Sequence, residues 1–496
     1  MQNKGILSGA LMLSVGGVLA KVFSAVYRII LTRILGGVGI GLYQLVFPLY
    51  SLCVVIATAG IPMAISKVIA KHPNNQASVI KKCLIFTCSV SLTLSAMLVI
   101  FSKLLARIQG EEKMAICYLI LAPTIIVVGV CSVLRGIFQG RKQFTPSALS
   151  NIAEQFVKLV VGLVLSLMLI NVSVFSAIIG AMIAIAVSEV VALLILLLFL
   201  RKKKTDKGED VPFKEIMHDI LPITFTNVLL PVAGFVDSLI VVRLLAINFS
   251  KADAIYMYGL ESGAVGSLIG LPTIFSFAIA SVILPCINRQ SKNMQMQLNL
   301  AIKIVILLTL PCVLLFLFVP KQLLLILYGG RFMSANAGGL NIASLLLQIS
   351  GVGILFLAIN QVLSSSLQAM ECRRVTVKNL SVAALFKFVI ELALMPTKMF
   401  NIYALSLGNT ICYFVVMLLN FISIKKRVKC NITPSVNVIL INSIMIIAVL
   451  WLNSVIVGKL NFVLALIIVA LVYLCGIFKF NVFSNKEKAF FKYKMC

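Results

Sequence analysis

Polar side chains are what this chain has least of. Its 496 residues include one Trp, two His and 15 carboxylates, while 61% are hydrophobic and the mean hydropathy is +1.11. That is too little polar surface to coat a soluble globule of this length, so its solvent is lipid. The shortage also argues against an enzyme. A membrane-embedded glycosyltransferase or polymerase ordinarily needs a carboxylate or histidine cluster at an interface or in a large loop. Here the outer loops are short, and His72 and His218 fall on the cytoplasmic side of the alternation below. No G-x-x-x-x-G-K-[ST] segment occurs, so no nucleotide is expected as a partner. The 12 cysteines are scattered with no C-x-x-C and no histidine at metal-ligand spacing. They read as small apolar fillers, and neither a metal nor any other cofactor is expected. A non-transporting assembly scaffold stays open on composition alone.

What is present is a series of apolar windows, each of about 20 residues and so long enough to cross a hydrocarbon core of about 30 Å. Fourteen can be placed, centred near residues 20, 55, 92, 125, 160, 187, 232, 273, 308, 352, 386, 411, 445 and 469. The fold class is therefore all-α and polytopic. The first window runs to Leu35 with Lys21 and Arg28 inside it and lacks a clear small-residue cleavage site, so it reads as helix 1 rather than a signal peptide. With an even number of spans both termini share a side. Loops on that side hold about 26 of the 43 cations, in clusters such as Arg201 to Lys204, Arg373 with Arg374, Lys425 to Lys429, and Lys486 to Lys494. The opposite loops hold about 10, which places both termini in the cytoplasm of a plasma-membrane protein. The net charge of +28 is then topology, and clusters split among short loops do not make a nucleic-acid surface.

The longest polar segment, 201–215, separates an N-terminal six-helix lobe (1–200) from a second (216–424). Two further helices (434–480) and a basic tail (481–496) follow. The lobes resemble each other. I-I-L-T-R-I-L from Ile29 recurs as L-I-V-V-R-L-L from Leu239, which puts Arg33 and Arg243 in equivalent places. The next helix of each half carries two prolines, Pro48 and Pro62, then Pro272 and Pro285, each expected to kink its span. L-R-G-I-F-Q-G-R-K from Leu134 has a weaker echo in L-S-S-S-L-Q-A-M-E from Leu363. Six spans per repeat is even, so the repeats enter from the same side, as in parallel-repeat transporters. The last two helices carry almost no charge, and either dock on the second lobe or line an apolar groove.

A charge at the centre of a membrane helix costs about 2.5–3.5 kcal/mol, so each that persists should face a cavity, a partner or an interface. Helix 1 holds Lys21 and Arg28 seven residues apart with Ser24 between them on the same face, a stripe that could attract an anion, unless both cations snorkel. Helix 5 holds Asn151, Glu154, Gln155 and Lys158 on one stripe, with Glu154 and Lys158 spaced to pair. Helix 11 repeats the arrangement with Lys387 and Glu391. Helix 7 carries Asn227, Gly234 and Asp237, with Pro222 and Pro231 expected to interrupt it, and helix 8 is read as starting at Glu261. Asp237 is a candidate for an inter-lobe gate, a coupling-ion site or a structural partner, and Glu261 is grouped with it. Glu189 and Lys303 are placed near cytoplasmic ends, where both would snorkel.

G-L-Y-Q-L-V-F-P-L-Y from Gly41, A-G-I-P-M-A-I-S-K from Ala59, L-R-G-I-F-Q-G from Leu134, T-P-S-A-L-S-N-I-A-E-Q from Thr145 and G-L-P-T-I-F from Gly270 resemble the stage V sporulation protein B group of polysaccharide-type flippases. That group belongs to the superfamily of lipid II flippases and multidrug and toxic-compound extruders. The resemblance spans about residues 5 to 425. It implies two six-helix bundles around a V-shaped cavity, two extra helices and both termini cytoplasmic. Its implied substrate is a lipid-linked oligosaccharide, an undecaprenyl-pyrophosphate sugar such as a peptidoglycan precursor for the spore cortex, met among membrane lipids. In the lipid II members, arginines of helix 1 are thought to meet the pyrophosphate. Lys21 falls at one such position, while Tyr27 occupies the other and Arg28 comes one residue later, a shift that turns the helix by about 100°. The rival within the superfamily is a multidrug exporter driven by a coupling cation, H⁺ or Na⁺, at Asp237, Glu261 or Glu391.

Overall fold

The computed structural model describes residues 2–71, 76–200, 212–283, 294–329, 338–370, 372–427, 436–455 and 459–479. The segment 201–211, Pro285 and the tail from residue 480 lie outside them. Among the described residues every regular element is helical. Ten stretches are long and apolar enough to cross a membrane. One of them, Val15–Lys71, holds two limbs. The more polar helix Arg373–Leu394 and the apolar segments Ile441–Trp451 and Leu464–Ile477 complete the fourteen spans read from hydropathy. Side chains such as Ile100, 72% exposed, suit a lipid-facing surface. The protein is a multi-pass membrane protein.

Packing divides the chain into two compact units, with the boundary between Gly263 and Ala264. The first holds α1 (Gln2–Thr58), α2 (Ile61–Lys71), α3 (Gln76–Ile108), α4 (Ala115–Gly140), α5 (Phe144–Leu169), α6 (Val174–Leu198), α7 (Phe213–Leu245) and α8 (Lys251–Tyr258). Here α1 packs on α4, α5, α7 and α8, and α6 packs on α4 and α5. The boundary falls past the polar segment 201–215 because α7 and α8 pack on α1.

The turn between the first two spans and the break within helix 2 both sit at glycines. Gly36 (φ 71°, ψ 178°) bends α1 between its two limbs, in a backbone region that is essentially glycine's alone, while no such break occurs at Pro48. The second break is at Gly60 (φ 81°), just before Pro62. Thr224 Oγ1 of α7 donates to the Ala59 carbonyl there (2.6 Å), so this acceptor, freed by the interruption, is not left bare in lipid. Pro222 and Pro231 do not interrupt α7, which is continuous. Helix 8 begins at Lys251, ten residues before Glu261, and Glu261 lies in a π-helical segment, Gly259–Val265. Two glycines of L-R-G-I-F-Q-G let α4 approach α2 closely: a Cβ at Gly136 would lie 2.9 Å from Pro62 Cα, and one at Gly140 2.8 Å from Ile69 Cβ.

The second unit holds α9 (Gly266–Ile283), α10 (Met294–Phe318), α11 (Pro320–Tyr328), α12 (Gly339–Ala369), α13 (Arg373–Leu394), α14 (Tyr403–Lys425), α15 (Val436–Val455) and α16 (Lys459–Lys479). The last two helices dock on α10 through Leu307, Leu314, Met445, Val449, Val469 and Tyr473. Tyr473 Oη, brought into this apolar contact, donates to the Leu307 carbonyl (2.8 Å). Cys53, Cys83, Cys117, Cys131 and Cys412 are buried, as apolar fillers should be.

Candidate functional site

The charges of the first unit gather where α1, α4, α5 and α6 meet. Glu154 of α5 does not pair with Lys158 on its own helix. Its partner is Arg135 of α4, whose Nη2 donates to Glu154 Oε2 at 2.8 Å with the two side chains 17% and 14% exposed. Arg135 Nε also donates to Ser150 Oγ (3.2 Å), and Gln155 Nε2 donates to Glu154 Oε1 (2.7 Å). Charge-assisted bonds to a neighbouring helix outweigh an i,i+4 pair, worth about 0.2–0.5 kcal/mol on a helix surface. The two sequence motifs at Leu134 and Thr145 are thus two sides of one contact.

Lys158, released from Glu154, rests on aromatic faces. Its Nζ lies 5.6 Å from the centre of the Tyr27 ring and 5.5 Å from that of Phe47. Arg28 reaches the same Phe47 ring at 6.0 Å, so two cations from two helices share one aromatic surface. Tyr27, in the place where a second helix 1 cation is implied, is buried against Gly162 of α5, and its hydroxyl has no hydrogen-bond partner among the described residues. Lys21 and Ser24 lie half-buried on α1, and Asn151 half-buried on α5.

Glu189 does not snorkel. It is 8% exposed on α6, in electrostatic reach of Glu154, Arg135 and Lys158. Sequence reasoning does not single out Arg135, Glu189, Tyr27 or Phe47 as site residues. Arg135 has a signal in the motif that contains it, whereas Glu189 has only its presence in an otherwise apolar run.

Asp237 of α7 and Glu261 of the π-helical segment are buried in the same unit, 8% and 5% exposed. Asp237 and Arg28 both act electrostatically on Tyr258. Beside Glu261, Gln44 Nε2 of α1 donates to the Ser262 carbonyl (2.6 Å), and Gln109 ties the second limb of α1 to α7 by donating to the Leu45 carbonyl (2.7 Å) and Ser238 Oγ (3.3 Å).

In the second unit Lys387 and Glu391 of α13 pair within their helix at 3.6 Å, 5% and 0% exposed, with Gly408 of α14 facing the carboxylate. Close by in sequence the polar contacts are neutral. Asn379 donates to Asn420 (2.8 Å), and Asn420 donates to Asn360 (2.8 Å) and Ser364 (3.0 Å), joining α12, α13 and α14. Ser364 stands where the repeat has Arg135, so the first unit has a charge pair where the second has amides and hydroxyls. Lys303 is half-buried on α10.

Among solved structures, the chain is similar to the lipid II flippase MurJ in an inward closed conformation, with a TM-score of 0.74, 16% identity and 95% of this chain and 99% of that one covered. It is also similar to an inward-facing multidrug resistance MATE transporter of the MOP superfamily, with a TM-score of 0.65, 16% identity and coverages of 84% and 98%. The fold is the one these transporters share. Among curated proteins, the stage V sporulation protein B of Bacillus subtilis (strain 168) is 25% identical over 316 residues, 60% of this chain and 61% of that protein. The lipid II flippase MurJ of the same organism is 23% identical over 483 residues, 90% of this chain and 88% of that protein. Residues 6–291 match the polysaccharide biosynthesis protein family, and since that stretch holds the interlocked motifs of α2, α4 and α5, the chain belongs to that family.

Proposed function

We propose that the protein is a transporter, not an enzyme, and that it moves an undecaprenyl-pyrophosphate-linked sugar from the cytoplasmic to the outer leaflet by alternating access. The observation that carries the reading is the set of intramembrane cations in the first unit, above all Lys158. Each of its contacts with the Tyr27 and Phe47 rings is a cation–π attraction of about 0.5–2 kcal/mol, set against the roughly 2.5–3.5 kcal/mol that a central lysine costs a membrane helix. A cation that rests on aromatic rings, with no carboxylate partner among the described residues, suits an anion that arrives later. A lipid pyrophosphate is such an anion, since it cannot cross hydrocarbon unpaired. Lys21, Ser24, Arg28, Asn151, Glu154 and Lys158 form the head-group surface in this reading, and Lys387 with Glu391 is the candidate substrate-binding pair within the second unit. The lobes are 1–200 and 216–424, and both termini are cytoplasmic. Relatives named as a lipid II flippase and a stage V sporulation protein support a peptidoglycan precursor, with spore cortex as its destination.

The test is reconstitution into liposomes with lipid II and a probe that reports its exposure outside. Exposure should rise with wild type and stay at the protein-free level with Lys21→Glu, at equal folded yield. An unchanged rate in the variant removes Lys21 from the site. A second reading, export of cations driven by H⁺ or Na⁺, draws on buried Asp237 and Glu261 and on the MATE likeness. It requires that an imposed ion gradient drive uptake of a cationic dye.

A further inference from the structure

The head-group surface leaves Glu189 unused. It lies in α6 nine residues before Leu198, buried, and its Oε2 has no hydrogen-bond partner among the described residues. The helices packed on α6 present four titratable or charged neighbours from α4 and α5, namely Cys131, Arg135, Glu154 and Lys158, and Tyr50 from α1. None of the cations is bonded to Glu189: Arg135 is engaged by Glu154 at 2.8 Å, and Lys158 lies over aromatic rings. The state of the carboxylate is therefore set by a balance, burial and the Glu154 charge on one side and the charges of Arg135 and Lys158 acting through space on the other, and such a balance changes when an anion enters it.

We infer that Glu189 is a proton-binding site linked to the anion site, so that a diphosphate settling on Lys158 brings a proton onto the Glu189 carboxylate. The inference rests on the anion reading above. A bound diphosphate offsets the Lys158 charge and adds negative charge of its own, and both effects favour the neutral acid. No bond other than the O–H of the acid forms or breaks, and the proton comes from solvent. Linkage then fixes the sign. An anion that increases proton affinity must itself bind more tightly as the pH falls, until Glu189 is protonated in the free protein as well.

The experiment is calorimetric titration of the purified full-length protein with farnesyl diphosphate, in two buffers of different ionisation heat, which counts protons taken up per ligand bound. The wild type should take up more protons than Glu189→Gln, by at most about one. Its affinity should also rise more steeply than that of Glu189→Gln as the pH falls, the difference reaching at most about tenfold per pH unit. Glu189→Asp should restore the uptake. Equal proton counts in wild type and Glu189→Gln overturn the inference and leave the anion site standing. Absence of binding in both proteins overturns the anion reading and this inference with it. Should Glu189→Gln fail to fold, infrared difference spectroscopy of the wild type decides: farnesyl diphosphate should raise a carboxylic-acid carbonyl band, and its absence overturns the proposal.

Discussion

Arg135 anchors the charged cluster. It holds Glu154 at 2.8 Å, donates to Ser150, and has only 17% of its side chain exposed. Truncating one partner of a buried pair leaves the other charge uncompensated, at a cost of about 3–5 kcal/mol. Arg135→Gln should therefore lower thermal stability in detergent by that order, and Arg135→Gln combined with Glu154→Gln should recover most of the loss. A double variant as unstable as the single one would mean that Glu154 is not the group left stranded. Glu154 is visible in the sequence as one member of a polar stripe, but its partner is not. Spacing along one helix offers Lys158, and only the packing of α4 on α5 brings a guanidinium within reach. Tyr27 is similar: sequence shows a ring where a cation is implied, whereas the fold brings Lys158 of α5 over that ring.

At the scale of elements, the course of α1 depends on one glycine. Gly36 holds φ 71° and ψ 178°, where a residue with a Cβ is strained by about 1–3 kcal/mol, so Gly36→Ala should lower the midpoint of thermal unfolding by a corresponding amount. Gly17, in the same helix, is the control, because a methyl group there would meet no atom within 4 Å. Gly17→Ala should be neutral or slightly stabilising, since alanine is the better helix former by about 0.5–1 kcal/mol. Equal losses in both variants would show that the bend at Gly36 is not what the substitution disturbs. Proline is the wrong guide to these bends. A proline removes one donor, and a continuous helix such as α7 accommodates that, whereas the conformation at Gly36 excludes side chains altogether. The π-helical segment at Gly259–Val265 has no signature beyond its small residues. It forms where Gly259 lies against the Gly37 backbone, with no room for a side chain, and Gln44 bonds the Ser262 carbonyl.

For the whole molecule, the distribution of cations predicts sidedness. A reporter enzyme active only outside the cytoplasm should be silent when fused after Cys496 and active when inserted at Asn248, between α7 and α8. The reverse pattern would invert the direction of the proposed transport. Number of spans, all-helical class and family were legible from sequence because lipid imposes simple rules: apolar length sets a span, loop cations set orientation, and every backbone group must be satisfied within a helix. Those rules act on one segment at a time, so a linear reading suffices. Partners do not follow from them. That Glu154 takes Arg135, that Lys158 lies on Tyr27 and Phe47, that Glu189 is buried rather than at an interface, and that α15 and α16 dock on α10 were decided by the tertiary structure. The physical reason is that inside a membrane a charge has no water to fall back on, so its state depends on whichever neighbour the packing of helices brings within a few ångströms.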